Sequence, residues 1–229
     1  MWKLKKKVIV LTKSDKNGGY CVAGIDVDKG RLIRLVSEDK STDYALTDDD
    51  ITYQDGTVMK PMDMIEVKLV GKQHSQNQPE NYTIDDLEYF KKIRKVKKSE
   101  IREYLMKPDF IFYNSDSSVS EGEMDEILNK YSIVLFRVKE LNLWLDRFKE
   151  GRIMASFTYN GESYNYIKIT DHTLTEKYYD RVSQYSPRPY VIDRAILVMS
   201  LAGVAVRGKY YKLVANIIED SRGLIQAIM

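Results

Sequence analysis

Residues 152–171 read Arg-Ile-Met-Ala-Ser-Phe-Thr-Tyr-Asn-Gly-Glu-Ser-Tyr-Asn-Tyr-Ile-Lys-Ile-Thr-Asp. Asn160-Gly161 at the centre is a strong hairpin signal, because a type I′ turn needs positive φ at both central residues. A two-residue loop sets a register that pairs Phe157 with Tyr164, Ala155 with Tyr166 and Met154 with Ile167. Side chains alternate along a strand. One face then carries Ile153, Ala155, Phe157, Tyr159, Tyr164 and Tyr166. The other carries Met154, Ile167 and Ile169 among Ser156, Thr158, Ser163 and Asn165. An aromatic face backed by a mixed one predicts a strongly curled sheet, the centre of a small β-barrel.

Outward from the hairpin, short strands recur. Towards the C-terminus, Asp171 caps a helix from Thr173 to about Val182. Strands follow over 194–206 and 209–219, with Gly203 a bend and Arg207-Gly208 a turn. Towards the N-terminus, strands are expected over 131–140 and 141–148. In the first half, 7–13, 31–37 and 63–73 read as strands, with 20–26 a strand or a short helical stretch. The run 38–61 is expected as an excursive surface loop. Leu87, Phe90, Ile93, Val96, Ile101, Tyr104 and Leu105 fall at helical spacing, with a break and a new cap at Ser99. Residues 114–122 are Ser-rich and acidic, a loop or linker. The boundary is placed near 106–130, giving units at 1–112 and 125–229. Many short strands without βαβ alternation predict a mainly β fold with a few helices, two small barrels in tandem.

The chain has 229 residues, 43% hydrophobic and 31% charged. It holds no apolar run of membrane-spanning length. The apolar stretch after the N-terminal lysines stops at Thr12, Lys13 and Ser14, so no export is expected and the cytoplasm is the default location. Cys21 is the single cysteine, which excludes an internal disulfide and argues against a thiolate zinc site. Net charge is only +2, but it is segregated. Residues 38–63 hold eight acidic residues against Lys40 and Lys60, and six of the eight residues 91–98 are Lys or Arg. A basic stripe is the footprint of a nucleic-acid partner; it is equally the solvated face of a helix.

Several stretches together resemble the dual OB-containing domain family. They are Thr12-Lys13-Ser14, residues 18–26, residues 30–36, Gln78-Pro79-Glu80-Asn81-Tyr82, residues 157–161 with Ile169-Thr170-Asp171, and residues 210–215. The resemblance implies two oligonucleotide/oligosaccharide-binding barrels, a nucleic-acid role in prokaryotic defence, and no catalytic motif. One turn departs from it: Ala202-Gly203-Val204 stands where a Gly-Glu-Pro-like turn is expected.

Single-strand binding on such a barrel combines a basic groove with aromatic platforms. The cationic candidates are Lys13, Lys16, Arg31, Arg34, Lys91, Lys92, Arg94, Lys95, Lys97 and Lys98. Tyr20, Tyr159, Tyr164 and Tyr166 are the aromatic candidates, Tyr20 and Tyr159 foremost, with Phe157, Tyr164 and Tyr166 weighed as core. Seventeen tyrosines against six phenylalanines suit half-exposed recognition surfaces or barrel rims. The Gly-rich turn 13–19 lacks the order of a phosphate-binding loop. Asp48, Asp49, Asp50 and Asp55 lack calcium-loop spacing. His74 and His172 are far apart, and no nucleophile accompanies them. The expectation is a non-enzymatic nucleic-acid-binding module, single strands favoured, with no cofactor, metal or membrane. The alternative is a protein-interaction adaptor working through strand edges, the acidic loop and the apolar tail from Leu224 to Met229.

Overall fold

The computed structural model describes residues 4–73 and 75–220; His74 and the tail from Leu224 to Met229 lie outside them. The first unit is built from β1 (Leu4–Lys16), β2 (Gly19–Asp26), β3 (Arg31–Val36), β4 (Asp63–Lys72), β5 (Asn81–Ile84) and β6 (Lys91–Lys95). The first five close into a barrel in the order β1-β2-β3-β5-β4, with β4 returning to β1. Only β3 and β5 run parallel. β6 extends the far side of β4.

The second unit repeats this wiring. It comprises β7 (Ser118–Ser120), α1 (Glu121–Glu126), β8 (Ile133–Val138), β9 (Leu141–Leu145), β10 (Ile153–Tyr159), β11 (Glu162–Ile169), α2 (His172–Tyr185), β12 (Tyr190–Ile192), β13 (Ala195–Leu201) and β14 (Lys209–Glu219). The order β9-β10-β11-β14-β13-β8 contains one parallel pair, β11 with β14. β8 and β9 are the two halves of one bent first strand, broken at Lys139 and Glu140. They do together what long β1 does alone.

The turns follow backbone chemistry. Asn160 and Gly161 have φ of 50° and 84°, as a type I′ turn requires. Asn17 and Gly18 form the same turn in the first barrel, at 46° and 80°. Arg207 and Gly208 do likewise between β13 and β14. Asp171 caps α2 by accepting a hydrogen bond from the Leu174 amide at 3.1 Å.

Four expectations are corrected. Phe157 does pair with Tyr164, but Ala155 faces Ile167 and Met154 faces Lys168. A bulge around Ser156 and Tyr166 inserts one residue into β11, with Tyr166 at φ 52°. The bulge reverses the phase, so Tyr166 leaves the core face and stands 53% exposed. The helix expected over 87–105 is instead β6 and a 3₁₀ helix, Lys98–Tyr104. Of the residues that suggested it, Leu87 and Ile93 are exposed, and pairing with β4 overrides the spacing. The acidic 38–61 segment is no excursion: Ala45, Leu46, Ile51, Tyr53 and Met59 are buried, and Leu46 exchanges backbone hydrogen bonds with Tyr20. Arg34, a cationic candidate for binding nucleic acid, is 1% exposed.

Each barrel has its own core. Ile111, Phe112, Val119 and Met124 pack into the second. A third apolar cluster joins the barrels, with Ile9, Leu11, Ala23 and Ile25 on one side and Ile133, Leu135, Ile196, Val198 and Ile218 on the other. At its margin β1 lies beside β14. Thr12 Oγ1 donates to the Ala215 carbonyl at 2.8 Å, and Asn216 Nδ2 to the Leu11 carbonyl at 2.6 Å.

Candidate nucleic-acid interface

The cationic and aromatic residues nominated from sequence do not form one site. At the first hairpin, Lys13 Nζ sits 4.7 Å above the Tyr20 ring. The Tyr20 hydroxyl donates to Asp48 at 2.8 Å, a bond that raises its pKa ahead of burial and charge. Lys16 is tied to Asp43 at 2.9 Å. Arg31 lies at the other end of the barrel, 5.5 Å from the Tyr82 ring centre. Arg34 is a structural residue of the junction: its Nη1 donates to Asn81 Oδ1 at 2.9 Å and Ser132 Oγ at 3.1 Å, and its Nη2 to Ser200 Oγ at 3.1 Å. No phosphate reaches it.

The basic stripe is an exposed edge strand whose charges are largely engaged. Lys92 and Lys95 lie 3.0 and 3.6 Å from the buried carboxylate of Asp63. Arg94 pairs with Glu100, whose carboxyl that contact and the Lys97 amide hold down to about 2. Lys98 donates to the Glu219 carbonyl at 2.7 Å. Lys91 and Lys97 have no carboxylate within ion-pair distance among the described residues. Tyr159 is half-buried on the second barrel, edge-on to Phe136 at 5.0 Å.

The acidic loop is consumed by its own turns. Asp50 accepts from the Thr47 amide and hydroxyl, and Asp55 from those of Thr57. No group of three His, Cys, Asp or Glu placed to hold a metal occurs among the described residues. His172 pairs with Glu176 at 3.4 Å on the exposed side of α2.

A different arrangement occupies the outer face of the second barrel, where β9, β10 and β11 lie side by side. Trp144 and Tyr166 approach with ring centres 6.3 Å apart. Between and beside them are Asn142, Ser156, Thr158, Ser163 and Asn165, lining a shallow cleft of about 250 Å³. It continues into a second cleft of about 570 Å³ bordered by Arg137, Lys139, Tyr159 and Asn160. Two residues past Tyr166 is Lys168, whose pKa falls first through desolvation and then through the charges of Arg152 and Lys149. Lys168 shares the outer face with Trp144, since both pair with Met154, and it lies close enough to Arg152 and Lys149 to feel their charge. Arg152 alone of these three cations has a carboxylate partner, Asp146, at 3.2 Å. Phe148, at the tip of the adjoining loop, is 98% exposed.

This arrangement supplies flat apolar rings, amide and hydroxyl groups that both donate and accept, and clustered positive charge. Sequence reading named Tyr166 but missed the arrangement, because strict alternation places that ring on the core face. The available signal was Trp144 on a strand within a few residues of Arg147, Lys149 and Arg152.

No helix among the described residues is long and apolar enough to cross a membrane. No curated protein matches the chain. Two solved structures resemble it at low level. One, described as the molecular basis for abrogation of activation of pro-inflammatory cytokines, is 10% identical, covering 92% of this chain and 87% of that one at a TM-score of 0.30. The other, the tetrameric p202 HIN2, is 7% identical, covering 94% and 93% at the same TM-score. The dual OB-containing domain model matches residues 6–217, nearly the whole length of both barrels. With its two barrels of shared wiring, the chain belongs to the dual OB-containing domain family.

Proposed function

We propose that this protein is a non-enzymatic module that binds single-stranded nucleic acid across the outer face of its second barrel. The observation that carries the reading is the Trp144–Tyr166 pair on the outer sheet face, with Lys168 on the same face through its pairing with Met154. Unpaired bases stack on such rings whatever their identity, and the cations neutralise the backbone. The strand 2–3 face is also where barrels of this type take oligonucleotides. The Lys13–Tyr20 and Arg31–Tyr82 pairs supply secondary contacts on the first barrel. The amides and hydroxyls of the cleft give weak sequence readout. The setting we propose is prokaryotic defence, as the family resemblance implies, with the cytoplasm as the default location.

The test is fluorescence anisotropy with labelled single- and double-stranded DNA and RNA over a salt series. Binding should favour single strands and weaken steeply with salt, because each neutralised phosphate releases counterions. Tyr166→Ser should lower affinity about 5- to 150-fold, matching about 1–3 kcal/mol for one stacked base. Lys168→Glu should weaken binding on every sequence and flatten the salt slope by roughly one counterion per lost contact. Wild-type affinity in both variants would refute the assignment of this face.

A further inference from the structure

The first barrel ends on a strand with one side unused. β6 pairs with β4 along one edge and with no strand along the other among the described residues, and all five of its side chains are exposed. Outward-turned N–H and C=O groups of an edge strand are a template for another strand; here a bulge at Ile93 interrupts the alternation, and the Lys95 carbonyl accepts from Arg94 Nη1 at 3.3 Å. Its charge, by contrast, is mostly held: Lys92 and Lys95 by Asp63, Arg94 by Glu100. What stays open at β6 is backbone. An extended peptide can pair with it, and a nucleic acid cannot.

Beside this edge lies a cleft of about 520 Å³ walled by Tyr53, Leu87, Tyr89, Phe90, Lys91 and Lys92. Leu87 is 84% exposed, Tyr89 66% and, on the strand itself, Ile93 43%. The carboxylates at the cleft are engaged: Glu66 with Lys5, Glu88 with Lys68, and Asp55 with Thr57. A lysine-rich edge ordinarily keeps strands away. It does so selectively, repelling a basic strand or a second copy of itself and attracting an acidic one.

We infer that the outer edge of β6 and the Leu87–Tyr89 cleft dock an acidic, extended segment of a protein partner. The segment adds as a strand along Lys91–Lys95, its carboxylates meet Lys91 and compete with the single Asp63 carboxylate for Lys92 and Lys95, and an apolar side chain enters the cleft. The site is separate from the nucleic-acid face of the second barrel, and neither depends on the other.

The experiment titrates the full chain into a dye-labelled peptide of about ten residues alternating Glu and Val, the strand period of two. Hydrogen exchange is followed at residues 91–95. The Glu/Val peptide should bind and protect those amides. A version with proline at its centre keeps the charge but loses a backbone donor, and should bind about tenfold weaker or worse. A Lys/Val peptide should not bind. The double variant Leu87→Ser with Tyr89→Ser, both exposed, should lose affinity, while Tyr166→Ser should retain it. Three results would overturn the inference: no binding of the Glu/Val peptide, equal binding of its proline version, or its displacement from β6 by a single-stranded oligonucleotide.

Discussion

Lys212 is 1% exposed on β14, with Nζ donating to the Asn114 carbonyl at 2.6 Å and side-chain oxygen at 2.7 Å. It also lies 5.1 Å from the Tyr164 ring centre. Burial brings its pKa from 10.5 down to about 7, outweighing the charges of Asp116 and Glu123, which favour the protonated form. Between pH 7 and 10.5 the unfolded chain therefore holds more protons at this site than the folded one. Unfolding free energy should rise with pH across that window and level off below it. Thermal unfolding from pH 6.5 to 9.5 checks this, and Lys212→Met should remove most of the rise. At this scale the sequence told little. A lysine at 212 and an arginine at 34 look like surface residues until the strands on either side are known. Tyr166 is harder still, because one inserted residue decides which side of the sheet it faces.

At the scale of elements, local chemistry was legible wherever it is backbone chemistry. The Asn160-Gly161 turn, the Asp171 cap, the Arg207-Gly208 turn and the 209–219 strand all follow from conformational preferences that need no tertiary partner. Gly161→Ala should cost about 1–2 kcal/mol, because a side chain is forced to positive φ although nothing crowds it. Gly18→Ala, at φ 80°, should cost a similar amount, and chemical denaturation of the two variants would compare the hairpins directly. Apolar spacing was a poorer guide. Leu87, Phe90, Ile93 and Val96 mimic a helix, yet only Phe90 and Val96 are buried, on opposite sides of an edge strand. The acidic segment misled for the opposite reason. Its charges are conspicuous, and the few apolar residues among them that fill the first barrel are not.

For the molecule as a whole, the tandem arrangement was readable but the junction was not. Junction residues such as Ile9, Leu11 and Ile25 alternate with the barrel interior, so β1 and β2 look merely like fully buried strands. Arg34 ties the two units through Asn81, Ser132 and Ser200. Arg34→Ala leaves several of these groups without a donor. It should destabilise the protein by about 3 kcal/mol or more, with both barrels still unfolding in a single transition. Arg31→Ala, exposed at the rim, should stay within about 1 kcal/mol. A two-step transition in wild-type calorimetry would contradict a shared core.

The apposition of β1 and β14 also sets an order of events during synthesis. Thr12 and Leu11 leave the ribosome 203 and 205 residues before their partners Ala215 and Asn216. The first barrel can close its own ring long before β14 exists. Until β8, β13 and β14 are made, the flank formed by Ile9, Leu11, Ala23 and Ile25 lacks the cover that the second barrel gives it, and nascent chains on one message carry that same flank close together. The strands that hide it, β8, β13 and β14, are all made after the first barrel is complete.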